Sequence, residues 1–175
     1  EDQEGNPNFD TNRLLFTYNQ LFRDSRFSGK DRLDDANQAS VGISSRFLRN
    51  RDGREVLKMS LGQLFYFEDR RVQSGNSSPA ADSLSNSDIA AELNFQPLDD
   101  LWVSSTILWD SRQNDIEQGN INFHYVSNSR AVYNLGYRYE REAIRSTDAM
   151  LGQRDLDQID ASIALPIARQ WTLFG

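Results

Sequence analysis

The chain has 175 residues, of which 38% are hydrophobic and 26% charged, with a formal net charge of −7 and no cysteine. The length suffices for one domain with a core, while the composition excludes disulfide staples, thiolate chemistry and Cys-based metal sites. The acidic balance argues against a nucleic-acid partner, whose phosphates are neutralised by Lys and Arg. No run of residues approaches the roughly 18–20 apolar positions of a membrane helix.

That last exclusion leaves membrane strands open. A barrel strand needs only about 9–11 residues, and only every second one faces lipid. The dominant signal in this chain is period-two alternation interrupted by turn residues. A first, weakly patterned strand is expected near 12–18, followed by a charged loop near 19–36. The next strand, 37–49, sets Val41, Ile43 and Phe47 on one face against Gln38, Ser40, Ser44 and Arg46 on the other. Asn50-Arg51-Asp52-Gly53 makes a tight turn in which Gly supplies a positive φ. The strand 55–68 returns with Leu57, Met59, Leu61, Phe65 and Phe67 on the apolar face. Lys58, Ser60, Gly62 and Tyr66 oppose them, and Gln63 and Leu64 break the pattern, one on each face.

A polar stretch rich in Ser, Asn, Gly and Pro follows to Asn86 and reads as a loop. Strands at 87–96 and 101–111 flank a turn at Pro97-Leu98-Asp99-Asp100, and a shorter loop is expected near 111–118. Strands at 118–127 and 131–140 flank Ser127-Asn128-Ser129-Arg130. After a loop near 141–157, a strand at 157–165 turns at Pro166 to Gln170 into a last strand at 171–175. No segment keeps apolar residues at helical spacing with a cap. The expected fold is all-β: an antiparallel up-and-down meander of about eight to nine strands, part of a large transmembrane β-barrel that covers the whole of 1–175.

Three features carry the membrane reading. The connections alternate long and short, as in barrels with longer extracellular loops and short periplasmic turns; Greek-key sandwiches have no reason to do so. Phe65, Phe67, Trp109, Tyr125, Tyr137 and Tyr139 fall near strand ends on the apolar face, where interfacial girdles form, although cross-strand packing in a soluble sheet also uses aromatics. The second face is polar, which suits a wet lumen and equally a solvated sheet face. The strand at Trp171 has no partner in view, and an open edge is not tolerated in lipid, so further strands are expected beyond this segment. A smaller autonomous β-barrel or β-sandwich binding protein is the alternative.

Nothing in the chain reads as a catalytic, cofactor or metal site. His124 alternates with Asn residues on the polar face, and Asp34-Asp35 and Asp99-Asp100 read as solvated loop and turn carboxylates. There is no phosphate-cradling glycine loop. Lys30 and Lys58 are the only lysines among 19 basic residues; Arg grips phosphate and carboxylate bidentately, although codon bias produces the same excess. The start, Glu1-Asp2-Gln3-Glu4-Gly5, is not the basic n-region of a signal peptide.

The stretch from Gln20 to Leu33 is unusual. Arg23, Arg26, Lys30 and Arg32 balance Asp24, Asp31, Asp34 and Asp35, with Leu21, Phe22 and Phe27 interspersed. A surface loop, or a loop folded into a lumen or onto a plug protein, fits this mixture. Leu21-Phe22-Arg23-Asp24, then Gly29-x-Asp31-Arg32, then Ala36-Asn37-Gln38 with Gly42 and Ser45-Arg46, resembles the LptD family. So do Gly62-Gln63-Leu64-Phe65-Tyr66-Phe67, Tyr137-Arg138-Tyr139 and Pro166-Ile167-Ala168 before Trp171, a similarity running from about Asn8 to the end. The resemblance implies a non-enzymatic role in lipopolysaccharide assembly in the outer membrane. It implies a wide barrel of about 26 strands, preceded by a periplasmic jellyroll that receives lipopolysaccharide from a periplasmic bridge. The barrel is plugged by the lipoprotein LptE and opens laterally between its first and last strands. Those strands, the jellyroll and the family's disulfide cysteines are expected to lie outside this segment. Phe22, Arg23, Asp24, Asp31, Arg32, Asn37 and Gln38 are then candidate contacts to the lumen or the plug.

Overall fold

A computed structural model describes residues 16–23, 25, 37–69, 84–143, 154–168 and 171–175. Eight strands form one antiparallel sheet in sequence order: β1 Gln38–Leu48, β2 Glu55–Tyr66, β3 Ile89–Leu98, β4 Leu101–Asp110, β5 Asp115–Val126, β6 Val132–Ala143, β7 Arg154–Ala168 and β8 Trp171–Phe174. Every strand pairs only with its neighbours in sequence. β1 and β8 do not pair and no second sheet packs on the first among the described residues. The eight strands therefore make neither a closed barrel nor a sandwich, the two forms of the autonomous alternative.

The register gives the sheet two chemically distinct faces. One row across it runs Ile43, Leu61, Ala91, Ile107, Gly119, Tyr139, and another Phe47, Leu57, Phe95, Val103, Phe123, Leu135. These rows leave large side chains bare, with Ile43 70%, Phe47 52% and Leu135 50% exposed. The opposite face presents Ser44, Ser60, Glu92, Thr106, Asn120 and Arg138 in one row. Strands of 10 to 12 residues, as in β2 to β6, match the length that crosses a hydrocarbon core.

Connections fall at two ends. The strand ends joined by 49–54, 99–100, 127–131 and 169–170 fall at one end of the sheet, and those joined by 67–88, 111–114 and 144–153 at the other. Gly53 takes φ +70° in the first turn and Arg130 φ +63° in the third. The expected loop near 111–118 is shorter than its sequence suggests, because β5 already begins at Asp115. Asp110 closes that turn by accepting from the Arg112 and Gln113 amides at 2.8 and 3.3 Å. The charged residues Asp115 and Glu117 sit in a strand because Arg141 on β6 donates to both, at 3.2 and 2.5 Å.

Two prolines also differ from expectation. Pro97 lies inside β3 and Pro166 inside β7, each where the register shifts. Proline has no N–H for the ladder, and an irregularity is where a strand accommodates it. The strand expected near 12–18 is not formed over its described part: Tyr18 opens a single 3-10 turn, Tyr18–Phe22, and residues 12–15 lie outside the described residues.

Candidate functional site

The 3-10 turn lies across the polar face of β1 to β3 as a strap. Its one fully buried side chain, Leu21, is 0% exposed and packs with Leu64, Ala90 and Leu108. Phe16, Tyr18 and Tyr66 surround this cluster. The seat explains the break in the alternation of β2. Leu64 is apolar on the polar face because it lies beneath the strap, together with Ala90 of β3 and Leu108 of β4. Gln63, displaced to the apolar face, donates from Nε2 to the Ser87 carbonyl at 2.7 Å.

Close approach of the strap depends on two facing glycines, Gly42 on β1 and Gly62 on β2. A Cβ on Gly62 would lie 2.5 Å from Leu21 Cδ1 and 2.8 Å from the Val41 carbonyl oxygen. One on Gly42 would lie 2.8 Å from Phe22 Cζ and 3.0 Å from the Tyr18 hydroxyl. The missing side chains thus form a notch filled by Tyr18, Leu21 and Phe22. Tyr18 and Phe22 meet edge to face, with ring centroids 5.5 Å apart. Ser40 Oγ donates to the Leu21 carbonyl and so satisfies the backbone at the tip of the turn.

The candidate residues from the sequence fare differently. Phe22 is in the strap, 56% exposed, with one edge against the notch and the rest open. Arg23 ends the turn and is exposed; its amide donates to the Gln20 carbonyl at 3.2 Å. Gln38 opens β1 opposite Tyr66. Asn37 fastens the hairpin end: its Nδ2 donates to Glu68 at 3.0 Å and its carbonyl accepts from the Phe67 amide at 2.9 Å. Asp24, Asp31 and Arg32 lie outside the described residues. Tyr18, Ser40, Ala90 and Leu108 belong to the strap and its seat without having been singled out. The only sequence signal for the seat was the exception at Leu64.

Charges cluster at both ends of the sheet. At the short-turn end, Arg49 pairs with Asp52 at 2.7 Å and with Asp99 at 3.1 Å, and Arg54 with Asp99 at 2.7 Å. This staple joins the first and second short turns. The Arg49 hydrogen bond, aided by the Arg54 amide, draws the Asp52 carboxyl down to about 2. Asp99 is lowered as well, by its hydrogen bond from Arg49 and then by the Arg54 charge. At the long-loop end Arg112 pairs with Asp88 and Asp110 at 3.0 and 3.1 Å and donates to the Asn86 carbonyl at 2.9 Å. No group of three or more potential metal ligands occurs among the described residues.

Comparison with known proteins agrees with this arrangement. The family model described as "LPS transport system D", LptD, matches residues 1–171. An LPS-assembly protein LptD of Saccharophagus degradans is 40% identical over 175 residues, covering 97% of this chain and 20% of the relative. Proteins of the same name from Xanthomonas oryzae pv. oryzae and Ectopseudomonas mendocina are 35% and 36% identical, over 99% and 100% of this chain and 21% and 22% of theirs. The chain thus spans about a fifth of the length of the curated relatives it matches. With an eight-stranded meander of two unlike faces and a family match over nearly its full length, the chain belongs to the LptD family.

Proposed function

We propose that this chain is a section of the wall of a larger outer-membrane β-barrel that takes part in assembling lipopolysaccharide at the cell surface. The observation that carries this reading is the bare apolar face. Rows such as Ile43, Leu61, Ala91, Ile107 cross the sheet with no covering layer among the described residues, while the opposite face is polar. Water does not tolerate so extended an apolar surface, whereas lipid outside and a wet lumen inside suit both faces. The short turns then lie on the periplasmic side and the longer connections outside. The open sheet and the greater length of the relatives both support a barrel completed by other strands.

In this reading the strap lies in the lumen. It caps an apolar patch that would otherwise face water, and it presents Phe22 and Arg23 inward. The plug lipoprotein LptE is the partner proposed for that surface, together with the charged segment that holds Asp24, Asp31 and Arg32. Lipopolysaccharide and outer-membrane lipid are the other partners, and the periplasmic bridge is reached through a preceding domain. The wall itself catalyses nothing. Charge reversal at Arg23, Asp24, Asp31 or Arg32 in the full-length protein should reduce the LptE that co-purifies with it. Unchanged co-purification across all four variants would remove the plug contact from this segment.

A further inference from the structure

The chain has three tryptophans, and one stands apart. Trp109 and Trp171 share the apolar face, where aromatic residues suit a lipid interface. Trp102 is on the polar face, paired across the ladder with His124 and 38% exposed. Its ring lies 5.2 Å from the His124 ring, tilted by 53°. His124 is fixed in turn. Its Nδ1 lies 2.5 Å from Asn134 Oδ1, and Asn134 Nδ2 donates to Ser162 Oγ at 2.9 Å. That contact engages Nδ1, and Nε2 is the ring nitrogen left over for another partner.

Beside Trp102 is a cleft of about 130 Å³, lined by Glu55, Asn94, Gln96 and Ser104. The charged groups around it are spent on one another: Arg46 lies 3.5 Å from Glu55 and Lys58 3.7 Å from Glu92. Asn94 Nδ2 donates to Glu92 at 2.8 Å, while other planar polar groups remain open. Among the described residues, the Trp102 indole N–H, the Gln96 amide and His124 Nε2 have no protein partner. A neutral site that combines an aromatic plate with free amide and imidazole groups has a definite chemical complement. The ligand must have an apolar C–H face to lie on the ring and hydroxyls at its edge to exchange hydrogen bonds.

We propose that Trp102, with His124, Asn94 and Gln96, forms a subsite for a neutral pyranose ring on the polar face near the short-turn end. The subsite rests on the reading of that face as the wet side of the wall. Asn120 and Asn122 continue from His124 along β5 on the same face, so a chain of several sugars has further amides to follow.

The test uses the full-length protein in detergent micelles, with maltohexaose as the probe and saturation-transfer difference NMR as the readout. Signal should fall on the sugar ring protons, and Trp102→Ala should weaken binding by about tenfold, the size of one lost stacking contact. Trp102→Phe should retain most of the binding, and Trp109→Phe, on the opposite face, all of it. Gln96→Ala gives a second, milder loss should Trp102→Ala not assemble. Absence of signal, or binding indifferent to both Trp102→Ala and Gln96→Ala, overturns the subsite. A cysteine at Arg138, exposed on the polar face and outside the subsite, separates this from the wall reading through its reactivity with a water-soluble maleimide. If it reacts and the sugar does not bind, only the subsite fails; if it does not react, both fail. Displacement of maltohexaose by the delipidated glycan of lipopolysaccharide assigns the ring to the exported lipid, and lack of displacement assigns it to free oligosaccharides. Either result upholds the pyranose chemistry.

Discussion

Leu21 is the point on which the strap turns, and truncating it should free the strap without disturbing the sheet. Its side chain is 0% exposed amid Leu64, Ala90 and Leu108. Replacing a packed Leu by Ala costs about 2–5 kcal/mol, through lost transfer energy and the cavity left behind. The strap is one 3-10 turn whose N-cap Thr17 makes no side-chain cap hydrogen bond, so it has little stability of its own. The loss therefore falls on strap docking, while the backbone ladder of β1 to β4 keeps its bonds. Even the lower figure shifts the docked population by about 30-fold. A cysteine at Ala90, which is 1% exposed beneath the strap, serves as the reporter. In the full-length protein, its modification by a small water-soluble maleimide should be at least about 30-fold faster with Leu21→Ala than without it, if opening limits access. Leu21→Met, which conserves volume, should stay near the parent rate. Equal rates for Leu21→Ala and the parent would show that Leu21 does not hold the strap over Ala90.

Further outcomes follow from the same geometry. Gly62→Ala should expose the Ala90 reporter much as Leu21→Ala does, because its Cβ meets both Leu21 and the Val41 backbone; Gly42→Ala should act more mildly, since only the tips of Phe22 and Tyr18 must move. Leu61→Arg on the apolar face should cost about 2–4 kcal/mol of barrel stability if it lies at the bilayer midplane, read from heat-modifiable gel mobility, whereas Ser44→Arg on the polar face should be tolerated. The Asp52 carboxyl, held near 2 by Arg49, should titrate below its ordinary 3.8 in carbon-13 NMR. Because its folded value is depressed, its contribution is complete above the unfolded value and is lost as pH falls from about 4 through 2. Arg49→Gln should return its titration toward the ordinary value and loosen the link between the first two short turns.

The strands were legible because period two leaves a direct trace. Val41 with Ile43, and Leu57 with Met59 and Leu61, fall on one face in the sequence and in the register alike. What was misread has local physical causes. Pro97 and Pro166 look like turns, yet a register shift lets each stay in its strand. Asp115 and Glu117 look like loop, yet Arg141 from the neighbouring strand pairs with both. The strap was not legible as an element, since five residues carry no helical period and its stability comes from a seat assembled on three strands. Leu64 did signal that seat, as an apolar residue on the wrong face. Nothing local could say that Leu21 was its complement.

The strictly sequential pairing of this sheet also bears on how it is built. The Ser40 hydroxyl and the Leu21 carbonyl it bonds are 19 positions apart, and each strand meets only its predecessor and successor. Loop-closure entropy grows slowly with length, and local contacts form fast. The notch of Gly42 and Gly62 exists once β1 and β2 have paired, and the seat of Leu21 is complete when β3 and β4 bring Ala90 and Leu108. Each later hairpin extends the sheet at one margin and passes its unpaired amides and carbonyls to the next arrival. A wall made this way can lengthen in one direction without rearranging what is already in place.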